Sequence, residues 1–380
     1  MQGRSGDRSV SPAPLLPSAS AILGVQILKL DFDQLLAARL DPLAVLATTA
    51  RVVERARFVR IEPRALERAA DTLAQRRVEP PTWNYDLHFF DGAERTVNYL
   101  FLLDALNFCF WEPRARWTIE YRGKKLDGYW ALAAALKHAA EKNPRVLDAD
   151  YWARISPAEL AEILRGRGEI PLFAERWRNV RELGAGLCNH WGASAAQFVA
   201  SAHGDAARLV QMLAENFASF NDVAVYRMPD PESGRRRDAE TKSPRPRVPA
   251  PVHFFKRAQI LVADLYGAFD GKQWGAFHNL ATLTAFADYK LPQILRAWGV
   301  LRYAPALARK IDAQRELAAG GAEEIEIRAV TLWAVEFLRE AFVRRGRAWM
   351  SIQVDWILWE AAQVRVKAMK PYHRVRTVYY

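Results

Sequence analysis

Cysteine is scarce in this chain: Cys109 and Cys188 are the two in 380 residues. That excludes a disulfide framework and a cysteine-rich metal site, and it fits a reducing cytoplasm. No run of apolar residues approaches the length of a bilayer-spanning helix, so no membrane partner is expected. His190 and His203 have no His or Cys neighbour at ligand spacing, so neither is expected to hold a metal. Internal repeats, coiled-coil heptads, GxGxxG and Walker sequences are all missing. Neither a metal nor an organic cofactor is expected.

What is present is a large apolar fraction, 51%, with 13 Trp, enough for a substantial core in one large domain or two intimate halves. Residues 1–26 are rich in Ser, Pro and Ala and are expected to form a disordered tail. The formal charge of +11 raises the prospect of a nucleic-acid or phosphate partner. Its distribution favours the smaller of the two. From Asp230 to Arg247 six basic residues accompany four acids between prolines, and from Val364 to Tyr380 there are five Lys or Arg and no acid. Short clusters suit one phosphate group, whereas a duplex needs a broad face. No stable nucleic-acid partner is therefore expected, and the oligomeric state is not encoded in any visible pattern.

The rest of the chain can be placed around residues 254–293. Phe254, Phe255, Ala258, Leu261, Val262, Leu265, Ala268 and Phe269 fall at three-and-four spacing, which predicts a helix with one core-facing stripe. Lys256 and Asp264 lie off that stripe. A second helix is expected to end near Asp288, with Pro292 marking a new start, so Asp288 should sit at a junction beside main-chain N–H groups.

Elsewhere the pattern is mainly helical with a few short strands. Helices are expected over 42–55, from Pro63, over 95–110, from Gly128 with Asp127 as cap, from Ser156, over 303–317, 323–345 and 349–366. Alternation after Asp222 predicts a strand. Glu326 and Arg328 are candidates for a buried pair. Asp355 interrupts an apolar helix, where a carboxylate needs a partner, either a base edge or an arginine. Asn107, Phe108 and Trp111 precede Pro113, and the aromatics there suit either a core or a flat ligand.

Five separated segments, ALNFCFW (105–111), KRAQILVADL (256–265), LTAFADYKLPQIL (283–295), EIEIRAVTL (324–332) and HRVRTVYY (373–380), resemble the queuosine salvage family in its order. That family hydrolyses queuosine 5'-monophosphate and resembles helix-hairpin-helix DNA glycosylases in fold. The resemblance covers roughly 40–380. It implies a mainly helical, DNA-glycosylase-like body spanning 27–380 as one hydrolase domain, with a helical half (27–228) and a catalytic half (251–380); between them the sequence departs from the family, which has a short connection there, with a basic, proline-rich insertion (229–250) expected to be a flexible surface loop. The resemblance also places Lys256 and Asp288 at the positions of a catalytic lysine and aspartate, Phe108 and Trp111 in the base pocket, and Asp222 at an acidic position whose bland reading is a turn or cap.

Cleavage of an N-glycosidic bond passes through an oxocarbenium-like state, which a carboxylate stabilises while activating water. Asp288 is the candidate, with Lys256 fixing its charge, holding ribose or phosphate, or acting as an amine nucleophile. Asn107 can donate and accept at a purine-like edge, and Asp264 and Asp355 are further candidates for substrate contact. His373, Arg374 and Arg376 are candidates for the 5'-phosphate, since guanidinium matches phosphate oxygens in a fork. The expected partner is thus a small molecule in the cytoplasm. Two other readings stay open: a DNA or RNA base glycosylase, and a non-catalytic binder of modified nucleosides.

Overall fold

The helix expected at the centre of the chain runs from Lys256 to Ala268 and is buried on nearly every side. Its polar residues are not turned to solvent, as a single apolar stripe had suggested. Two of them find internal partners instead: Arg257 donates to the carbonyls of Asp104 and Ala105 at 2.8 and 2.9 Å, and Gln259 donates to Phe254 O at 2.8 Å and accepts from Thr284 N at 2.8 Å. Polar groups this deep are tolerated because they are paired.

The computed structural model describes residues 30–112, 116–227, 250–364 and 368–380. The expected tail, 1–26, lies outside them, as does the expected insertion, 229–250, apart from Ala250. Among the described residues the chain forms fifteen α-helices and three two-stranded antiparallel sheets, so it is mainly helical, as expected. No described helix is long and apolar enough to cross a membrane.

The central helix packs against Glu94–Leu106 and Ala206–Asn216, both carrying buried apolar faces. The longest helix, Ala322–Val343, packs on Val45–Val53, Pro63–Gln75 and Ser351–Val364. Early and late segments are therefore interleaved. Val59–Ile61 pairs with Leu301–Tyr303, Val59 facing Tyr303, and Val223–Tyr226 pairs with Ala250–His253, Val223 facing His253. That second pair delivers the chain directly into Lys256.

Several local expectations give way to stronger terms. The stretch before Asp288 is a 3-10 turn, Leu280–Thr282, followed by extended chain, not a helix. Pro292 lies inside the first turn of Lys290–Ala297, where a missing N–H costs nothing. Asp127 does not cap the Gly128–Lys142 helix, because its carboxylate pairs with Arg116 at 2.7 Å. Glu326 and Arg328 do not pair, since residues two apart on a helix point to different sides. Glu326 instead accepts from Phe58 N at 2.7 Å and from the Tyr226 hydroxyl at 2.9 Å. The helix expected over 303–317 is confined to Pro305–Asp312.

Candidate active site

Lys256 owes its position to Asp222. The Asp222 carbonyl accepts from the N–H groups of Phe254 and Phe255 at 3.0 and 3.2 Å, and its carboxylate accepts from Lys256 N at 3.2 Å. Between these contacts Phe255 is forced to a φ of 48°, a left-handed conformation that is costly for a bulky residue and persists only where its surroundings dictate it. Arg328 holds the Asp222 carboxylate from behind, with Nη1 to Oδ1 at 3.0 Å, and lies 3.8 Å from the centre of the Phe254 ring. The result is a lysine projected into a cavity from the first residue of a rigid helix.

Asp288 faces the same cavity from the start of the next helix. Its Oδ1 accepts from Lys290 N at 2.6 Å and Leu291 N at 3.0 Å, the main-chain donors that the junction implied, and the positive end of a helix favours the anion. Burial nevertheless pushes the Asp288 carboxyl above the usual carboxylate range, against the pull of the Lys256 ammonium and those two amides. For Lys256 burial lowers the pKa, and Asp288 is the leading influence that raises it again. Each of the two is thus the main charged partner of the other.

The cavity encloses about 1150 Å³, room for a nucleotide and several waters. Lys256, Asp264, Asp288 and Asp355 line it together with Asn107 and Phe108. Asp355 accepts from Phe286 N at 2.7 Å, so its partner is a main-chain amide, and burial raises its pKa well above normal. Asp264 is likewise raised well above normal by burial and then by the charge of Asp104. Asp104, beneath the cavity, is raised by burial to about 7. Asn107 donates to Asp104 at 3.2 Å.

The other candidates lie behind the wall or outside it. Asp222 is in the clamp just described. Trp111 is buried among Cys109, Phe108 and Tyr372. Arg374 and Arg376 stack on its indole with guanidinium carbons 5.4 and 4.9 Å from the ring; Arg374 bonds to Gln314, and Arg376 pairs with Glu112 at 3.2 Å. His373 is buried, its pKa lowered by burial and by Arg328 to about 3, with both ring nitrogens unpartnered among the described residues. None of these five lines the cavity. No cluster of three or more His, Cys, Asp or Glu suited to a metal occurs among the described residues.

A family model described as queuosine salvage protein matches residues 87–380. The chain belongs to that family. A protein of Sphaerobacter thermophilus named queuosine 5'-phosphate N-glycosylase/hydrolase is 48% identical over 341 residues, covering 90% of this chain and 98% of that one. Proteins of the same name from Mus musculus and Schizosaccharomyces pombe are 33% and 30% identical, over 89% and 78% of this chain and 99% and 86% of theirs.

For a queuosine salvage family member, the cavity contains groups that the sequence reading passed over. Lys290 and Arg116 are cations in its lining. Lys290 Nζ lies 5.5 Å from the centre of the Tyr372 ring, and burial lowers its pKa while Asp288 raises it. Lys290 had a visible signal, two residues beyond Asp288 in the same motif. Arg116 had none. His88 and Tyr129 also line the cavity and are hydrogen-bonded at 2.8 Å. Trp83, stacked on His88 at 4.2 Å, and Trp130, Trp356 and Trp359 complete an aromatic wall.

Proposed function

We propose that this chain hydrolyses the N-glycosidic bond of queuosine 5'-monophosphate, releasing queuine, with Asp288 and Lys256 as its catalytic pair. The observation that carries the reading is the mutual placement of these two buried, oppositely charged groups at the floor of an aromatic-walled cavity. Beneath the sugar, the Asp288 carboxylate stabilises positive charge as it develops on ribose and takes a proton from the attacking water. Its raised pKa makes it a better base than an exposed aspartate, while Lys256 and the amides of Lys290 and Leu291 keep it ionised. Lys256 acts as the partner that fixes the carboxylate, not as a nucleophile.

The base lies against the Phe108 and tryptophan side of the cavity, within reach of Asn107, Asp264 and Asp355. The 5'-phosphate faces Lys290, with Arg116, whose guanidinium also pairs with Asp127, beside it in the lining, in place of Arg374 and Arg376, which lie outside the cavity against Trp111 and bond to Gln314 and Glu112. Asp222, Trp111 and His373 then support the site from behind. The substrate is a free nucleotide in the cytoplasm, no nucleic acid is held, and no metal or cofactor takes part.

The test is queuine release from queuosine 5'-monophosphate by the purified protein, read by mass beside Asp288→Asn. Release by the wild type, lost in the variant with nucleotide binding retained, is expected. Binding without release by the wild type would overturn the hydrolase in favour of a binding protein, and a steep loss of affinity for polynucleotide as salt rises would favour a nucleic-acid enzyme.

A further inference from the structure

Asp288 is reached by a stretch of chain that forms neither helix nor strand. Between the turn Leu280–Thr282 and the helix Lys290–Ala297, residues 283–288 make no ladder of their own, so their place is set by side chains from other elements. Arg39 donates to Leu283 O at 3.1 Å, Gln259 accepts from Thr284 N at 2.8 Å, Asp355 accepts from Phe286 N at 2.7 Å, and Arg328 donates through Nε to Ala287 O at 3.2 Å.

Two of these four also hold the turn that presents Lys256. While Arg328 Nε meets the carbonyl just before Asp288, its Nη1 and Nη2 donate to the two oxygens of Asp222, whose Oδ2 accepts from Lys256 N at 3.2 Å. A guanidinium is planar and stiff, so the neighbours of both candidate residues are fixed to one rigid plate. That plate lies 3.8 Å from the centre of the Phe254 ring and 4.6 Å from that of Tyr380. Gln259, three residues along the helix from Lys256, makes a second bridge: its Nε2 donates to Phe254 O at 2.8 Å and to Thr284 Oγ1 at 3.1 Å, while its Oε1 takes the Thr284 N–H. Both bridges are buried, and both join the chain entering Lys256 to the chain entering Asp288.

We propose that Arg328 and Gln259 are positioning residues that together fix the spacing of Lys256 and Asp288. The inference rests on the hydrolase reading above. Neither side chain lines the cavity, so neither touches substrate, and each acts through the backbone it holds. Spacing matters twice here: a carboxylate misplaced by about 1 Å loses its aim at the sugar and the water, and the hold of an ammonium on a carboxylate weakens with distance. The two bridges differ in kind, one ionic and one neutral. A purely stabilising pair of buried polar groups would affect the rate only through the amount of folded protein.

Arg328→Lys keeps the charge but not the planar fork, and Gln259→Met keeps the bulk but neither donor nor acceptor. With queuosine 5'-monophosphate each should lower kcat about 10²-fold, with KM little changed. The acid limb of kcat/KM should also move to higher pH, because parting the two residues removes the ammonium that lowers the Asp288 pKa. Lys290, on the helix that follows, and Asp355, bonded to Phe286, are the other charged groups facing Asp288, and both travel with its stretch of chain. Thr49→Val is the control, since it unpairs the Trp333 indole elsewhere on the helix that carries Arg328; its urea midpoint should fall and its limb stay. Rates that fall only with the folded fraction, or a limb unmoved in both bridge variants, would overturn the proposal and leave Arg328 and Gln259 as stabilising groups. Should Arg328→Lys not fold, Gln259→Met alters no charge and carries the test alone. Release of no base by the wild type sinks the hydrolase reading itself, whereas release by wild type and both variants at one rate sinks the positioning alone.

Discussion

Asp222 and Arg328 form a two-pronged ion pair, 3% and 2% exposed at their side chains, that locks the backbone turn presenting Lys256. Breaking such a pair from one side leaves a buried charge without its partner, and that costs more than the pair contributes when intact. Arg328→Met should lower unfolding free energy by about 3–5 kcal/mol, read as a shifted midpoint in urea. Asp222→Asn should cost less, because the amide still accepts from Lys256 N and from Arg328. Its larger effect should be on kcat, through a looser Lys256, and a variant as fast as wild type would detach the clamp from catalysis.

Lys290 and Arg376 make different claims on the same phosphate. If Lys290 holds it, Lys290→Ala should raise KM for queuosine 5'-monophosphate by about 10–100-fold, the worth of a hydrogen bond to a charged group, and barely alter the dephosphorylated nucleoside. Arg376→Ala removes a group already engaged with Glu112 and Trp111. It should change both substrates by the same small factor. A phosphate-specific loss at Arg376 and none at Lys290 would return the phosphate site to the last segment of the chain.

His373 offers a test of stability in acid. Its folded pKa is lowered from 6.5 to about 3, so between those values the unfolded chain binds more protons than the folded one. Linkage then makes stability rise with pH across that window and fall as the solution is acidified. Asp104 runs the other way: its pKa is raised from 3.8 to about 7, so ionisation withdraws stability as pH climbs between them. His373→Gln should flatten the acid loss, and Asp104→Asn should remove a decline towards neutrality, both seen in urea midpoints measured against pH.

Several helix starts were legible because local rules acted alone there, whereas the roles proposed for Lys256 and Asp288 came from the family resemblance. Ser156 and Glu159 form the capping box their spacing announces, and Asp288 meets the amides that a helix start must offer. What escaped was decided across distance. Asp127 met Arg116 before it met its own helix end, and Arg328 chose Asp222, 106 positions away, over Glu326. The arginines of the last segment looked free because nothing nearby in the sequence opposes them; Glu112 and Gln314 reach them only after folding. His88 and Tyr129, hydrogen-bonded in the cavity wall, stand 41 positions apart in the chain, so their contact appears only after folding.

The pairing of Lys256 with Asp288 predicts how the rate responds to pH when the lysine is removed. If Asp288 works as an anion, as proposed, kcat/KM should fall as pH drops through its pKa, which burial has raised and Lys256 opposes. In Lys256→Met the opposing ammonium is gone and burial acts unopposed by it, so the pKa rises further and the acid limb should move to higher pH. Activity should persist at alkaline pH, reduced but measurable. A nucleophilic lysine makes the contrary prediction: Lys256→Met would be inactive at every pH, and borohydride added during turnover would trap the ribose covalently on the wild-type chain. A trapped adduct at Lys256 would therefore transfer the first chemical step from water to the amine, leaving Asp288 to stabilise charge without activating the nucleophile.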